Sequence, residues 1–185
     1  MMNYGCEGLN VVISGGTSGI GLATAEKFLR DGANVYILGR SVLRGALAVQ
    51  KLLAKTERTA VYIPCDVTSV EECRKAVASI GGAIHILVNA AGVYMEQRLE
   101  NVTEADIADI FDTNVKGTML LTQASLPFMY GGGSIVNIAS DAGISGNYGC
   151  PVYCASKGAI VALTKALALD YAPNIRVNCV CPADV

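Results

Sequence analysis

Short apolar runs alternate with amphipathic stretches along almost the whole chain. The runs predict strands over Asn10–Ser14, Asn34–Leu38, Ala60–Ile63, Ile84–Asn89, Ser134–Ile138 and Ile175–Val180. The stretches between them predict helices over Ile20–Asp31, Val42–Lys55, Val70–Ile80, Glu104–Met129 and Val152–Tyr171. The strand segments are rich in Val and Ile and show little polar alternation, as expected for strands buried on both faces. Strand and helix in strict alternation call for an α/β fold. Its core is a doubly wound parallel sheet with helices on both faces, joined by right-handed crossovers. Thr103 reads as the N-cap of the long helix, with Asp106 where a capping box places its acid. Pro127 and the run Gly131-Gly132-Gly133 stop that helix. The helix from Val152 is apolar almost all round, so one stripe covers the sheet and the rest calls for another partner, such as a second subunit.

Composition changes this picture little. The 185 residues, 52% of them hydrophobic and 16% charged, are read as one well-buried domain spanning 1–185. A net charge of −2 with scattered Arg and Lys offers no basic stripe, so no nucleic-acid partner is expected. No stretch approaches the ~18 uninterrupted apolar residues of a membrane span. Met1–Asn10 lacks an apolar signal core, and a cytoplasmic protein is the expectation. The seven cysteines (Cys6, Cys65, Cys73, Cys150, Cys154, Cys179 and Cys181) read as free thiols rather than a metal site, since no His or carboxylate cluster joins them. His85 is read as an exposed strand-start residue without a role. Cys150 and Cys154 flank the start of the last helix, where oxidation or alkylation is expected to impair whatever that helix does.

The chemistry concentrates at two places. Tyr153 and Lys157 stand four apart, which puts a phenol and an ammonium on one helix face. A free phenol titrates near ~10, and a neighbouring cation draws that value down. Bringing it to neutrality asks roughly 4 kcal/mol of Lys157 and its surroundings. Ser140, at the end of a strand-like run, carries a hydroxyl able to hydrogen-bond a substrate carbonyl oxygen while Tyr153 protonates it. At the other end of the chain, Asn10–Ser14 leads into Gly15-Gly16-Thr17-Ser18-Gly19-Ile20-Gly21 and then a helix. Strand, glycine-rich turn and helix form the setting that a dinucleotide pyrophosphate needs, with a tight backbone and free N–H groups at a helix N-terminus.

Taken together, these features resemble the short-chain dehydrogenase/reductase family from Leu9 to Pro182. Gly15, Gly19 and Gly21 match its cofactor glycines. Asp66, followed by Val67, matches the acid set against the adenine. Asn89-Ala90-Ala91-Gly92 resembles the family's Asn-Asn-Ala-Gly with Ala90 for the second Asn. Asn114, Ser140, Tyr153 and Lys157 match the catalytic positions. The resemblance implies a Rossmann-type fold and hydride transfer between a nicotinamide and a carbonyl or alcohol carbon. It makes Tyr153 the general acid or base and has Lys157 lower its pKa and hold the nicotinamide ribose. Ser140 polarises the substrate oxygen, and Asn114 anchors a proton-relaying water. Thr17, Ser18, Ile20 and Pro182 are expected to border the cofactor.

The resemblance also places Gly39 where NAD-preferring relatives carry an acid. Arg40 follows, and a guanidinium suits a 2′-phosphate, so NADP(H) is the preferred cofactor with NAD(H) as the alternative. Tyr94, Met95, Ala142, Gly143, Ile144 and Tyr148 are expected to border a pocket for a small carbonyl or alcohol. Relatives pair through their last two long helices, so a homodimer or homotetramer is expected. They also continue past the position of Val185 with a substrate-covering segment and a seventh strand, so the natural chain is expected to be longer. The competing reading is a non-catalytic dinucleotide-binding sensor or scaffold on the same fold. A nucleotide-sugar epimerase also uses Tyr-x3-Lys, with a different glycine spacing.

Overall fold

The computed structural model describes residues 5–183. Six strands form one parallel sheet in the order β3-β2-β1-β4-β5-β6. They are β1 (Asn10–Ser14), β2 (Asn34–Gly39), β3 (Val61–Pro64), β4 (Ile86–Asn89), β5 (Gly133–Ile138) and β6 (Ile175–Val180). Crossover helices are α1 (Gly19–Arg30), α2 (Val42–Thr56), α3 (Val70–Ala78), α4 (Glu104–Phe111), α5 (Gly117–Ser125) and α7 (Pro151–Tyr171). A short α6 (Ala142–Ser145) precedes α7.

Side-chain alternation along β1 shows why both sheet faces are covered. Val11 and Ile13 join Ala25, Leu29, Ile37 and Leu52 under α1 and α2. Val12 points the other way, into a cluster with Leu87, Leu121, Ile135 and Val177 under α3, α5 and α7. The inner strands β1, β2, β4 and β5 therefore bury side chains on both faces, the environment their Val and Ile content fits, while β3 and β6 at the edges stay partly exposed. The chain crosses from one face to the other between β3 and β4, and β4 pairs with β1. That reversal leaves a crevice at the C-terminal ends of β1 and β4, where open α/β sheets place ligands.

The structure redraws three expectations. Strand β4 starts at Ile86 rather than Ile84, because Ile84 gives its N–H to Phe128 O and His85 gives its Nδ1 to the Asn10 N–H. His85 is thus a half-buried acceptor that ties β4 to β1, not a free surface residue. The helix expected over Glu104–Met129 is three pieces. A π-helical turn over Asp112–Lys116 separates α4 from α5, and a 3₁₀ turn over Leu126–Phe128 ends it. Its start is as expected: Thr103 and Asp106 form a reciprocal capping box. Helix α7 has a mean hydropathy of 1.4 over its most apolar 18 residues and is long and apolar enough to cross a membrane. It lies along β5 and β6, burying Val152, Ser156, Lys157, Ile160 and Thr164.

Candidate active site

Serine 14 closes β1, and its Oγ accepts the N–H groups of Ala90 and Ala91, both at 3.1 Å. This fastens the chain leaving β4 against the glycine turn. Gly15 sits at φ +65°, and a Cβ there would lie 2.8 Å from Ala90 O and Ala91 N. A Cβ on Gly21 would lie 2.4 Å from Gly15 O. The turn is packed so closely that only glycine fits at either position. Outward the same turn is open: a Cβ on Gly19 would meet nothing within 4 Å, and Ser18, the N-cap of α1, makes no side-chain cap bond. The first N–H groups of this 12-residue helix therefore lack a capping side chain, which is the arrangement that receives a pyrophosphate.

A cavity of about 250 Å³ lies beside this turn, bordered by Gly15, Thr17, Ser18, Arg40, Asp66 and Val67. Arg44 borders it as well, although the sequence reading did not name it. Its position four residues after Arg40, one turn into α2, was the available signal. Asp66 Oδ1 accepts both the N–H and the Oγ–H of Thr68, so one carboxylate oxygen holds a turn. Asn89 places its amide in the core instead: Nδ2 donates to Thr122 Oγ1 and to Asn137 Oδ1. With 3% of its surface exposed, its side chain serves packing beneath the crevice. Gly21 is likewise buried beneath the turn.

Past Gly92 and Val93, which border both spaces, a second cavity of about 350 Å³ opens. Ser140, Tyr153 and Lys157 meet in its wall, with Ile20, Ala90 and Pro182 at its margins. Ser140 arrives from the exit of β5, and Tyr153 and Lys157 from the first two turns of α7. The Lys157 ammonium donates to Ile138 O at 2.9 Å and lies over the Tyr153 ring, 5.7 Å from its centre. The Tyr94 ring meets Tyr153 edge-on at 4.9 Å.

Asn114 sits in the π turn and is 1% exposed. Its Oδ1 accepts the Val93 N–H at 2.8 Å, and its Nδ2 donates to Val93 O and Ser156 Oγ, both at 3.0 Å. The amide thus clamps the loop after β4 to α7, with both its donors engaged.

The electrostatics correct one expectation. Lys157 does not draw the Tyr153 phenol down in the protein alone. Burial pushes the phenol above its ordinary value, opposed by a hydrogen bond from Ser140. Burial also pushes the Lys157 ammonium below its ordinary value. Burial is the largest cause of both shifts, and neither group is among the causes acting on the other.

The pocket border also differs from expectation. Tyr94 and Ala142 line the larger cavity. Gly143 is a packing position, since a Cβ there would lie 2.5 Å from the Lys157 backbone. Met95 faces a separate groove against α4. Ile144 and Tyr148 are exposed on the outer surface. Asp141, not singled out from sequence, and Asn147 do line the cavity. Among the described residues no three His, Cys, Asp or Glu side chains gather as a metal site would require. Cys65 and Cys73 are buried thiols that share a hydrogen bond, which with burial pushes Cys65 up.

Comparison with known proteins places this geometry. The chain is 36% identical over 176 residues to carbonyl reductase family member 4 of Danio rerio, covering 92% of this chain and 73% of that one. It is 35% identical over 176 residues to meso-2,3-butanediol dehydrogenase of Serratia marcescens, covering 94% of this chain and 70% of that one. The crystal structure of L-sorbose reductase from Gluconobacter frateurii, complexed with NADPH and L-sorbose, superposes with a TM-score of 0.92. That match is at 32% identity and covers 98% of this chain and 71% of the reductase. The family model for short chain dehydrogenases matches residues 9–185, and the chain belongs to that family.

Proposed function

We propose that this protein is an NAD(P)-dependent oxidoreductase interconverting a carbonyl and an alcohol, with Tyr153 as the proton donor or acceptor. The observation that carries the reading is the meeting of Ser140, Tyr153 and Lys157 in one cavity that continues past Gly92 to the open N-terminus of α1. A bound nicotinamide supplies the hydride, or accepts it in its oxidised form.

The protein's residues supply position and the proton. The glycine turn and the α1 N-terminus hold the pyrophosphate. Tyr153 gives its proton to the carbonyl oxygen in reduction and takes it back in oxidation. The phenol carries its proton at neutral pH, as an ordinary tyrosine does. Ser140 holds the substrate oxygen beside the phenol. Lys157 is fixed by Ile138 O at the ribose end, and Asn114 keeps the Gly92–Val93 loop against α7.

Arg40, just after β2, and Arg44, in the first turn of α2, border one cavity and support NADP(H) as the preferred cofactor, since guanidinium donors match a 2′-phosphate. An oligomer is supported by α7, whose Ala155, Ala162, Ala166 and Leu169 form one exposed apolar stripe.

The test is oxidation of NADPH and NADH against a panel of ketones, aldehydes and sugars, with Tyr153→Phe as control. Turnover that the variant loses while still binding cofactor supports the reading. Unchanged turnover in Tyr153→Phe would remove it, and cofactor binding without turnover on any substrate would favour a sensor.

A further inference from the structure

Two thiols flank Tyr153 in the sequence, and the proposed reaction uses neither. Cys150 is the N-cap of α7, and Cys154 lies one turn into that helix. Their sulfurs stand 3.7 Å apart. Both converge on one backbone carbonyl: Asn147 O lies 3.8 Å from Cys150 Sγ and 3.7 Å from Cys154 Sγ, with each thiol in position to donate to it. The Asn147 N–H in turn donates to Cys154 Sγ at 3.2 Å. Cys150 is buried and Cys154 is half-buried, so a reagent arriving from solvent meets Cys154 first. Asn147 belongs to the loop 146–149 between α6 and α7, and it lines the catalytic cavity. Glycines stand at both ends of that loop, Gly146 at φ +76° and Gly149 at φ +73°. A Cβ on Gly146 would meet nothing within 4 Å, so this end of the loop has room to move.

We infer that Cys150 and Cys154 form a reversible disulfide on exposure to a hydroperoxide, and that closing it releases the loop 146–149 from the wall of the catalytic cavity. The disulfide does not depend on the oxidoreductase reading; its effect on turnover rests on that reading. In the first step the Cys154 thiolate attacks an oxygen of hydrogen peroxide. The O–O bond breaks, Cys154 becomes a sulfenic acid, and the departing hydroxide takes up the thiol proton as water. The Cys150 sulfur then attacks the Cys154 sulfur. The S–S bond forms as the S–O bond breaks, and the Cys150 proton leaves with the hydroxide as a second water. Two thiols are oxidised and one peroxide is reduced to two waters; a dithiol reverses the change by exchange.

The bond must close 3.7 Å to about 2 Å, so one side has to move. Helix α7 holds Cys154 in its hydrogen-bond ladder, whereas Cys150 has φ −139° and ψ 51°, outside helical geometry, and follows the glycine-flanked loop. The movement therefore falls on Cys150 and the loop. Oxidation also removes both S–H protons, and with them both thiol donors to Asn147 O. The other thiol pairs are less suited. Cys65 and Cys73 are buried. Cys179 and Cys181 stand 3.8 Å apart, but the chain around them is pinned. Cys179 is in register with Asn137 on β5, and Val180 O and Pro182 O accept the N–H groups of Ala139 and Asp141.

The test is treatment with hydrogen peroxide, removal of the excess with catalase, blocking of free thiols with iodoacetamide and peptide mapping. The expected product is a peptide holding Cys150 and Cys154, lighter by two hydrogen atoms and blocked at neither, which dithiothreitol returns to the thiol form. Cys150→Ser keeps a capping hydroxyl at the start of α7 and should stop at a Cys154 sulfenic acid, trapped with dimedone. Cys154→Ser should form neither product. In the oxidised protein, amide hydrogen exchange over 147–149 should quicken by about tenfold. For a carbonyl substrate from the panel above, kcat/KM should fall roughly ten- to a hundredfold and recover with dithiothreitol. Cys154→Ser should keep its own rate through the same treatment.

Full blocking of both cysteines after peroxide overturns the inference. So does a disulfide that maps to Cys179 and Cys181 instead, or a loss of rate that Cys154→Ser shares. A Cys150–Cys154 disulfide that leaves both hydrogen exchange and kcat/KM unchanged overturns the release of the loop. Absence of turnover on every substrate before oxidation counts against the oxidoreductase reading alone, and mapping and hydrogen exchange then decide the inference by themselves.

Discussion

The two ends of the cleft are built from different materials. At the glycine end the site is mostly backbone in close approach: Gly21 packs on Gly15, Gly15 on Ala90 and Ala91, and Gly16 lies against the Ile37 side chain, where a Cβ would lie 2.7 Å away. At the catalytic end the site is side chain against side chain. Asn114 from the π turn bonds Ser156 of α7, and Lys157 of α7 bonds Ile138 at the end of β5, so segments far apart in sequence are tied together there. The glycine end leaves no room for side chains on Gly15 and Gly21, and its weakness is any added atom. A side-chain site must bury polar and charged groups, and its weakness is any partner lost.

This contrast can be tested from both sides. The largest effect belongs to the catalytic end. Tyr153→Phe should lower kcat by about 10²- to 10⁴-fold while leaving the cofactor Kd within about twofold, read by steady-state kinetics and fluorescence titration. Next comes the backbone end. Gly21→Ala pushes a methyl onto Gly15 O and should destabilise the fold by about 3 kcal/mol, with loss of cofactor binding, measured by urea unfolding. An unfolding midpoint equal to wild type would show that the turn can yield.

Smaller again is cofactor choice. Arg40→Ser should raise the KM for NADPH roughly ten- to a hundredfold and leave that for NADH nearly alone, with Arg44→Ala showing the same direction more weakly. Equal changes for both cofactors would place these guanidinium groups away from the 2′-phosphate.

The smallest effect is on stability and depends on pH. Burial lowers the Lys157 pKa, so the folded protein bears the strain of the buried ammonium at every pH below that lowered value. That strain fades as pH rises towards the ordinary lysine value near ~10.4. Lys157→Met should therefore raise Tm by a few degrees at pH 7. The gain should vanish as pH climbs towards that value, even though the variant loses activity. Tyr153 has the opposite sign: its raised pKa contributes stability that is complete below about 10 and lost as pH rises through the folded value. The difference in ultraviolet titration between wild type and Tyr153→Phe should show this phenol still protonated at pH ~10 without cofactor.

The same contrast explains what could be read before the fold was known. The glycine turn is local, so its spacing and its strand–helix setting announced it in Gly15, Gly19 and Gly21. The sheet was legible for a similar reason: β1 and β6 begin and end where the Val and Ile runs do. Side-chain geometry was less open to reading. Tyr153 and Lys157 show their helical spacing, but nothing in that spacing says how far each is buried, and burial sets both shifts. Asn89 carries a familiar pattern, yet its amide turns into the core because Asn137 and Thr122 wait there from distant segments. Asp141 was hidden because it caps α6, which at four residues has no periodicity to detect. The π turn was hidden because one extra residue in a helix leaves an amphipathic pattern nearly intact.

That extra residue is also an angular device. An α-helix advances about 100° per residue, so the five-residue turn at Asp112–Lys116 sets α4 and α5 out of phase by about one residue. The offset lets Asn114 face Val93 while Leu121, further on, faces the sheet at 0% exposure. Removing a single residue between 112 and 116 would close the offset without touching any other part of the chain. Either Asn114 would swing off its loop or Leu121 would swing out of the core. In this stretch a deletion is therefore a rotation, and the reading frame that it disturbs is one of angle.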